Sequence, residues 1–253
     1  MTMHATPPTA FSRAPLMGLL LGVLLGAWGA TALAQGLPTQ CGALRNHYGP
    51  YDYRVSRGET LDIVERAHFT PRVEALLRGE TGTLGQDISY TLHAFPNHHK
   101  ALIAADQLGL KEKTDKPNGM RYVLECYFQR AVIYKSDDAV ARMIYARFLF
   151  RRDRAAEAKA QLEIAGNAAG VTPFTLYNIG MVLFEFKEYE QAARYARLAE
   201  QQGFPRDDLK KRLQEIRQWP AEPAAAASAP APADAPASEA ATAASTPASG
   251  AAP

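Results

Sequence analysis

Residues 139–172, AVARMIYARFLFRRDRAAEAKAQLEIAGNAAGVT, align without a gap over residues 173–206, PFTLYNIGMVLFEFKEYEQAARYARLAEQQGFPR. The two segments are therefore related by a period of 34 residues. Large apolar residues coincide in this alignment, and a small residue recurs where Ala146 lies over Gly180. Self-similarity at a fixed period of this length predicts a structural unit that stacks on its own copies.

This repeat resembles the tetratricopeptide repeat, whose unit is two antiparallel helices. The family needs a small residue where the two helices cross closely, and Ala158 and Ala192 fit that crossing in the second helices. The stretch 187–192, KEYEQA, is similar to the polar turn and helix restart of the family. The early aromatic of the family pattern is missing, and the late one is replaced by Leu162 and Ala196. As a whole, the chain resembles exported tetratricopeptide proteins of proteobacteria, a resemblance that brings no assigned activity.

A degenerate unit is predicted ahead of these two, over residues 97–138. Its first helix is expected at 97–110 and its second at 120–135. A polar loop at 113–119 lies between them and is longer than the turn of the later units, an insertion that connections between helices tolerate. The predicted repeats are therefore about 97–138, 139–172 and 173–206.

The array is expected to begin at residue 70 and to end in a capping helix. Thr70 followed by Pro71 is typical of a helix start, and Gly79 is expected just after the end of this helix. Residues 87–95 are predicted as its antiparallel mate. The predicted fold class is all-α, a short tetratricopeptide-like solenoid of three to four helix pairs over residues 70–206, with a capping helix at 207–219 and an irregular N-terminal lead-in at 35–69.

Both ends of the chain differ in composition from its body. Arg13, the apolar run at 16–25 and the sequence ALA at 32–34 predict a cleavable signal peptide over residues 1–34. The run is shorter than the roughly 20 apolar residues that span a bilayer, so stable membrane insertion is not expected and the mature protein is predicted to be periplasmic. Residues 220–253 are almost entirely Ala, Pro, Ser, Thr and Gly, which predicts a disordered tail.

The chain has two cysteines, Cys41 and Cys126. In an oxidising compartment paired thiols usually form disulfides, so a structural disulfide between them is expected. Closing a loop of this length contributes about 4 to 5 kcal/mol in the chain-entropy model. A metal site or a reactive thiol is disfavoured because neither cysteine belongs to a C-x-x-C pair.

Charge and motifs exclude several classes of function. The chain carries 28 Lys and Arg against 26 Asp and Glu, a near balance that argues against a nucleic-acid surface. It contains no G-x-S-x-G, no H-E-x-x-H and no phosphate-binding glycine loop with its lysine. We therefore predict that the protein is not an enzyme and needs no cofactor.

The resemblance implies a binding groove formed by the first helix of each unit. In the family, inward residues of these helices hold an extended peptide or a partner helix. Asn178 matches the position where peptide-binding members hold the ligand backbone. Aromatic and Met side chains suit a protein partner, although each of them could instead pack between repeats as core. The predicted partner-binding residues are Met143, Arg147, Phe150, Arg151, Tyr177, Asn178, Met181 and Phe184.

Histidines form the second candidate site. All five that follow the predicted signal peptide fall in the first half of the mature chain, and His93, His98 and His99 lie close together in sequence. Histidine is a common metal ligand, but no pair has the i, i+4 spacing of a helical metal site and no haem-attachment motif is present. A structural role is therefore favoured over metal binding.

The sequence thus predicts a periplasmic scaffold or adaptor that binds a protein or peptide of the cell envelope in its concave groove. The first alternative is a metal- or cofactor-binding accessory protein that uses the histidine cluster. The second is a structural domain whose contacts use the convex side or the loop at 113–119. Partner and oligomeric state cannot be derived from the residues.

Overall fold

The computed structural model describes residues 37–220, and in this range the chain is all-helical, without a strand. A short 3-10 turn at Thr39–Cys41 precedes the helices. The α-helices are α1 (Glu59–His68), α2 (Pro71–Glu74), α3 (Leu84–Ala94), α4 (His99–Glu112), α5 (Leu124–Tyr134), α6 (Ala139–Phe150), α7 (Ala155–Gly166), α8 (Pro173–Glu185), α9 (Tyr189–Gln201) and α10 (Asp208–Glu215). Within the described range no helix is long and apolar enough to cross a bilayer. The predicted signal peptide and the predicted tail beyond Pro220 lie outside the described residues.

Helices α6 to α9 form two packed pairs, α6 with α7 and α8 with α9. Both connecting turns have the same backbone geometry, because Asp153 and Lys187 adopt positive φ angles of 58° and 65°. In each turn the residue after the one with positive φ donates its N–H to a leucine carbonyl of the preceding helix. The acceptor is Leu149 in the first turn and Leu183 in the second. The 34-residue period of the sequence is therefore also a period of the backbone in these turns.

Small residues allow the helices of these pairs to approach closely. Ala146, Ala158 and Ala192 are fully buried, and Gly180 is buried as well. A Cβ atom added to Gly180 would lie 2.8 Å from Leu209 Cδ2 and 3.2 Å from the carbonyl oxygen of Ala192. A larger residue at position 180 would therefore have to displace Leu209 or the Ala192 carbonyl where α8 meets α9 and α10.

A second period, of 40 residues, relates the α3–α4 junction to the α5–α6 junction. His98 and Asp138 cap α4 and α6, and each side chain accepts the backbone N–H three residues further on. The residues that end the preceding helices, Phe95 and Lys135, have nearly identical angles, φ −130° and ψ 84° against φ −129° and ψ 87°. Accordingly, α3 packs on α4, and α5 packs on α6. Helix α4 also contacts α5.

Helices α4, α6 and α8 lie side by side in that order, and α10 contacts both α8 and α9. One apolar core runs from α2 to α10, and Leu209 and Leu213 of α10 are buried in it. Ile216, which follows α10, is exposed.

The lead-in at 35–69, predicted to be irregular, contains helix α1. Leu61 and Val64 are buried on one side of this helix, where they pack with Ala94 and Phe95. The helix forms because this apolar pair, three residues apart, finds a buried partner surface at the end of α3. The expectation of a wholly irregular lead-in was therefore wrong for residues 59–68.

The helix expected to end before Gly79 already stops at Glu74. Leu76 adopts a positive φ angle of 54° and is buried, and its N–H bonds to the carbonyl of Val73. The N–H of Leu77 bonds to the carbonyl of Arg72, which completes a helix-terminating turn. The left-handed backbone conformation of Leu76 thus ends α2 after one turn.

The disulfide between Cys41 and Cys126 is present, as the sequence predicts, with a Cα–Cα distance of 5.0 Å. It joins the lead-in to α5. Arg130, also on α5, donates from Nη1 to the carbonyl oxygens of Cys41 and Ala43 at 3.0 and 2.8 Å. Covalent and hydrogen bonds together hold the start of the described chain on this helix.

Candidate functional site

Helices α4, α6 and α8 each expose one face, because their other sides pack on neighbouring helices. We call this surface the first-helix face. Ion pairs join the three helices. One is between Arg147 of α6 and Glu185 of α8, and the other is between Arg151, which follows the last residue of α6, and Asp106 of α4. The face comprises Ile103, Gln107, Leu110, Val140, Arg147, Phe174, Asn178, Met181 and Glu185, all exposed or partly exposed.

Large apolar side chains are exposed on this face. Phe174 is 61 % exposed, and Ile103 and Val140 are also exposed. Phe174 and Val140 occupy the same position in the 34-residue period, two residues after the N-caps Thr172 and Asp138. The same position of α4 holds Lys100, which is exposed as well. Successive units therefore present a side chain at an equivalent point of one surface.

Three of the predicted partner-binding residues are buried, with at most 9 % of their surface exposed. Met143 lies in the core. The ring of Phe150 stacks on Phe186 at a centroid distance of 4.5 Å. Tyr177 packs on the Phe204 ring and donates its hydroxyl proton to Asp208. These three side chains therefore pack within the protein, because each first helix has neighbouring helices on both sides.

Two further predicted residues, Met181 and Phe184, are partly buried against the core. Met181 lies on the first-helix face, whereas the Phe184 ring packs at 5.5 Å from the Tyr189 ring. Asn178 is also partly exposed, and its Nδ2 donates to the carbonyl oxygen of Phe174 at 2.8 Å. Asn178 and Met181 thus retain exposed surface beside Phe174.

The two predicted arginines differ in their surroundings. Arg147 and Glu185 pair on the first-helix face with both side chains 45 % exposed, so this pair contributes little to stability and can exchange partners. Arg151 pairs with Asp106, whose side chain is 4 % exposed. Burial lowers the pKa of Arg151. Arg151 therefore joins α6 to α4, and Arg147 is the arginine that remains open to a partner.

His98 and His99 use their ring nitrogens within the protein. Nδ1 of His98 accepts the N–H of Ala101 at 3.2 Å, and Nε2 donates to Glu65 at 3.1 Å. Burial lowers the pKa of His98 to about 3, so the ring is neutral. Nε2 of His99 lies 2.9 Å from the buried carboxylate of Asp138. Both side chains therefore have structural partners.

His93 differs from the other two candidates. Its Nδ1 lies 2.7 Å from the carbonyl oxygen of Ser89, while its Nε2 is buried and has no hydrogen-bond partner. The part of the chain described by the structure contains no group of three or more His, Cys, Asp or Glu side chains arranged to hold a metal.

A buried polar network that sequence reasoning missed connects the lead-in to α4 and α6. Asn97 donates from Nδ2 to Asp52 at 2.7 Å and to Asp138 at 2.8 Å, and accepts the N–H of Tyr53 at 3.0 Å. Burial raises the pKa of Asp52, but hydrogen bonds from Arg54 and Asn97 outweigh it and hold that pKa below its ordinary value. The sequence carries no local signal of this network, because Asn97 lies 45 residues from Asp52 and 41 from Asp138.

Comparison with family models, with curated proteins and with solved structures finds no match. Assignment of a function therefore depends on the side chains of this chain.

Proposed function

We propose that this protein is a tetratricopeptide-like interaction scaffold that binds a protein or peptide partner on the first-helix face. The observation that carries the proposal is the recurrence of exposed apolar side chains at one position of successive units, Val140 on α6 and Phe174 on α8. Exposed aromatic and aliphatic groups beside a charged pair are typical of the centre and rim of protein interfaces.

The solenoid interpretation rests on repetition. The turns at Asp153 and Lys187 share their geometry, and α4, α6 and α8 contact one another in series. Each of these features is expected where units stack in one dimension.

Location outside the cytoplasm is part of the same proposal. The disulfide between Cys41 and Cys126 suits an oxidising compartment, and the sequence of residues 1–34 has the pattern of a signal peptide. The partner is accordingly sought in the cell envelope.

The partner should present apolar side chains next to charged groups. Phe174 and Met181 offer apolar area, while Arg147 and Glu185 can exchange their mutual ion pair for groups on the partner. Metal binding by the histidines has less support, because His98 and His99 already use ring nitrogens for bonds within the protein.

Affinity capture from the envelope fraction of the source organism tests this proposal. The full chain is compared with Phe174→Asp and with Arg147→Glu, which place charges on the first-helix face. Ile164→Asp is the matched control, since Ile164 is 46 % exposed but belongs to α7. We expect the native chain and the control to capture one common partner and the two face variants to lose it. Equal capture by all four proteins would place the binding site elsewhere.

A further inference from the structure

Residues 37–45, the first described part of the lead-in, lie against α5 and add almost nothing to the core. We call them the cover segment. Cys41 is the one buried residue of this segment, whereas Thr39, Gln40 and Ala43 are exposed. The apolar clusters of the described chain contain none of its residues. Ordering a segment costs conformational entropy, and here little apolar burial offsets that cost.

Two attachments hold the cover segment on α5. The first is the disulfide between Cys41 and Cys126. The second is a set of hydrogen bonds from Nη1 of Arg130 to the carbonyl oxygens of Cys41, Gly42 and Ala43, at 3.0, 3.2 and 2.8 Å. One nitrogen atom serves all these acceptors, so they share its protons. The disulfide is therefore the main attachment.

The side chain of Arg130 is fully buried where the cover segment and the Tyr122 ring lie against it. Its Nε and Nη2 have no hydrogen-bond partner, and within residues 37–220 no carboxylate pairs with it. Burial lowers the pKa of Arg130. A buried cation without a counter-ion is unfavourable, and water would hydrate it again if the segment moved away. Closure of the cover segment therefore depends on the covalent bond.

The lead-in has separate attachments immediately after the cover segment. Asn46 donates from Nδ2 to the carbonyl oxygen of His93 at 2.9 Å. The N–H of Tyr51 donates to the carbonyl oxygen of Ala94 at 2.8 Å. Both acceptors belong to α3 and not to α5. The chain from residue 46 onward can thus stay in place while the cover segment moves.

Reduction of the disulfide would leave a thiol next to a cation. Cys126 and Arg130 are four residues apart on α5, so they lie on the same side of this helix. A neighbouring guanidinium stabilises the thiolate, which is the nucleophilic form of cysteine. Cys126 is only 2 % exposed in the closed form, so this thiol becomes accessible when the cover segment leaves.

We propose that the cover segment is a redox-controlled lid, and that reduction of the disulfide between Cys41 and Cys126 releases it and exposes Cys126 beside Arg130 as a reactive thiol. Fraying of the segment from its exposed residues admits a dithiol reductant. One thiolate of the reductant attacks the bond, and its second thiolate resolves the mixed disulfide. Cys41 and Cys126 become thiols, and the dithiol is oxidised to a disulfide. The exposed thiolate then attacks a further disulfide, whose other sulfur leaves as a thiolate.

Thiol alkylation of the full chain tests the release. Cys41→Ser removes the covalent attachment and leaves Cys126 as the one thiol of the chain, and its rate of reaction with iodoacetamide is measured at pH 7. The matched control combines Cys41→Ser and Cys126→Ser with Ala131→Cys, which places a thiol at a fully buried core position of the same helix. We expect Cys126 to react at least about tenfold faster than the control thiol, with unchanged helical circular dichroism.

Arg130→Gln, added to Cys41→Ser, tests the part played by the guanidinium. The cover segment is already released in this background, so the second change acts on the thiol alone. We expect alkylation of Cys126 at pH 7 to become about tenfold slower, because less of the thiol is ionised. In concentrated urea both proteins should react at the same rate, since unfolding separates position 130 from the thiol.

Equal protection of Cys126 and of the control thiol overturns the proposal, because the cover segment then stays closed without the disulfide. Loss of helical circular dichroism in Cys41→Ser also overturns it, since the disulfide would then hold the whole fold and not one segment. An alkylation rate that Arg130→Gln leaves unchanged overturns the reactive thiol. The assay contains no protein partner, so its outcome is independent of the first-helix face.

Discussion

Single residues determine how closely these helices pack. Gly180 lies where α8 meets the Ala192 carbonyl and the Leu209 side chain. Leu209 belongs to α10, so one glycine sets the approach of three helices. Larger side chains at such a point force neighbours out of their preferred rotamers.

Gly180→Val is expected to lower the free energy of unfolding by about 1–3 kcal/mol despite the better helix propensity of valine. Urea unfolding followed by circular dichroism measures the change. Met181→Val, at the next position of the same helix, where the side chain is only partly buried, should lower stability by less than Gly180→Val does. Equal stability of both variants would show that α8 can move away from α10 without cost.

His98 links stability to pH. Its pKa in the folded protein is about 3, below the ordinary value of roughly 6.5 that applies to the unfolded chain. Between these values the unfolded chain binds a proton that the folded protein does not, so stability falls as pH decreases below about 6.5. Between pH 7 and pH 5 the expected loss is about 1–2 kcal/mol, because the carboxylate of Glu65 opposes part of the shift.

His98→Asn keeps a capping acceptor for α4 and removes the titrating ring. We expect its free energy of unfolding to depend less on pH than that of the native chain between pH 7 and pH 5. Urea titrations at both pH values measure this difference. Identical pH dependence of the two proteins would assign the proton uptake to another group.

At the scale of elements, the lead-in depends on its attachment to α5. The disulfide closes a loop between positions separated by 85 residues, and Arg130 holds the carbonyl groups beside Cys41. Replacing both cysteines by serine should lower the free energy of unfolding by about 2–5 kcal/mol. Dithiothreitol should destabilise the native chain by a similar amount and leave the double variant unchanged. Destabilisation of the double variant by dithiothreitol would show that the reductant does not act through this disulfide.

The elements also show what could be predicted from the sequence. The 34-residue period places α6 to α9, because each helix carries its own apolar residues and its own turn. Helix α1 was not predicted, because Leu61 and Val64 alone are too short an apolar pattern to indicate a helix. The pair stabilises a helix only by packing against Phe95, which is distant in sequence. The early end of α2 likewise depends on the positive φ angle of the buried Leu76, which no local sequence pattern predicts.

At the scale of the whole molecule, the first-helix face arises from the order of helices. Because α4, α6 and α8 contact one another in series, their exposed sides form one surface. Periodicity assigns Val140 and Phe174 to equivalent positions, but it cannot tell a groove residue from a contact between units. That is why Met143, Phe150 and Tyr177 were assigned to the groove and are buried.

The arrangement of the first-helix face indicates which helices a bound partner would cover. A partner that covers Val140 and Phe174 spans α6 and α8 and comes within reach of Arg147, whose ion pair with Glu185 joins these helices. A partner bound to the opposite side would instead contact α7 and its exposed Ile164.

Photocrosslinking in intact cells tests the central claim most directly. A photoreactive phenylalanine analogue replaces, one at a time, Phe174, Val140 and Ile103 on the first-helix face, and Ile164 on α7. The account predicts one common crosslinked partner from the positions on the face and none from position 164. A partner that crosslinks from position 164 and not from positions 174 and 140 would contradict it.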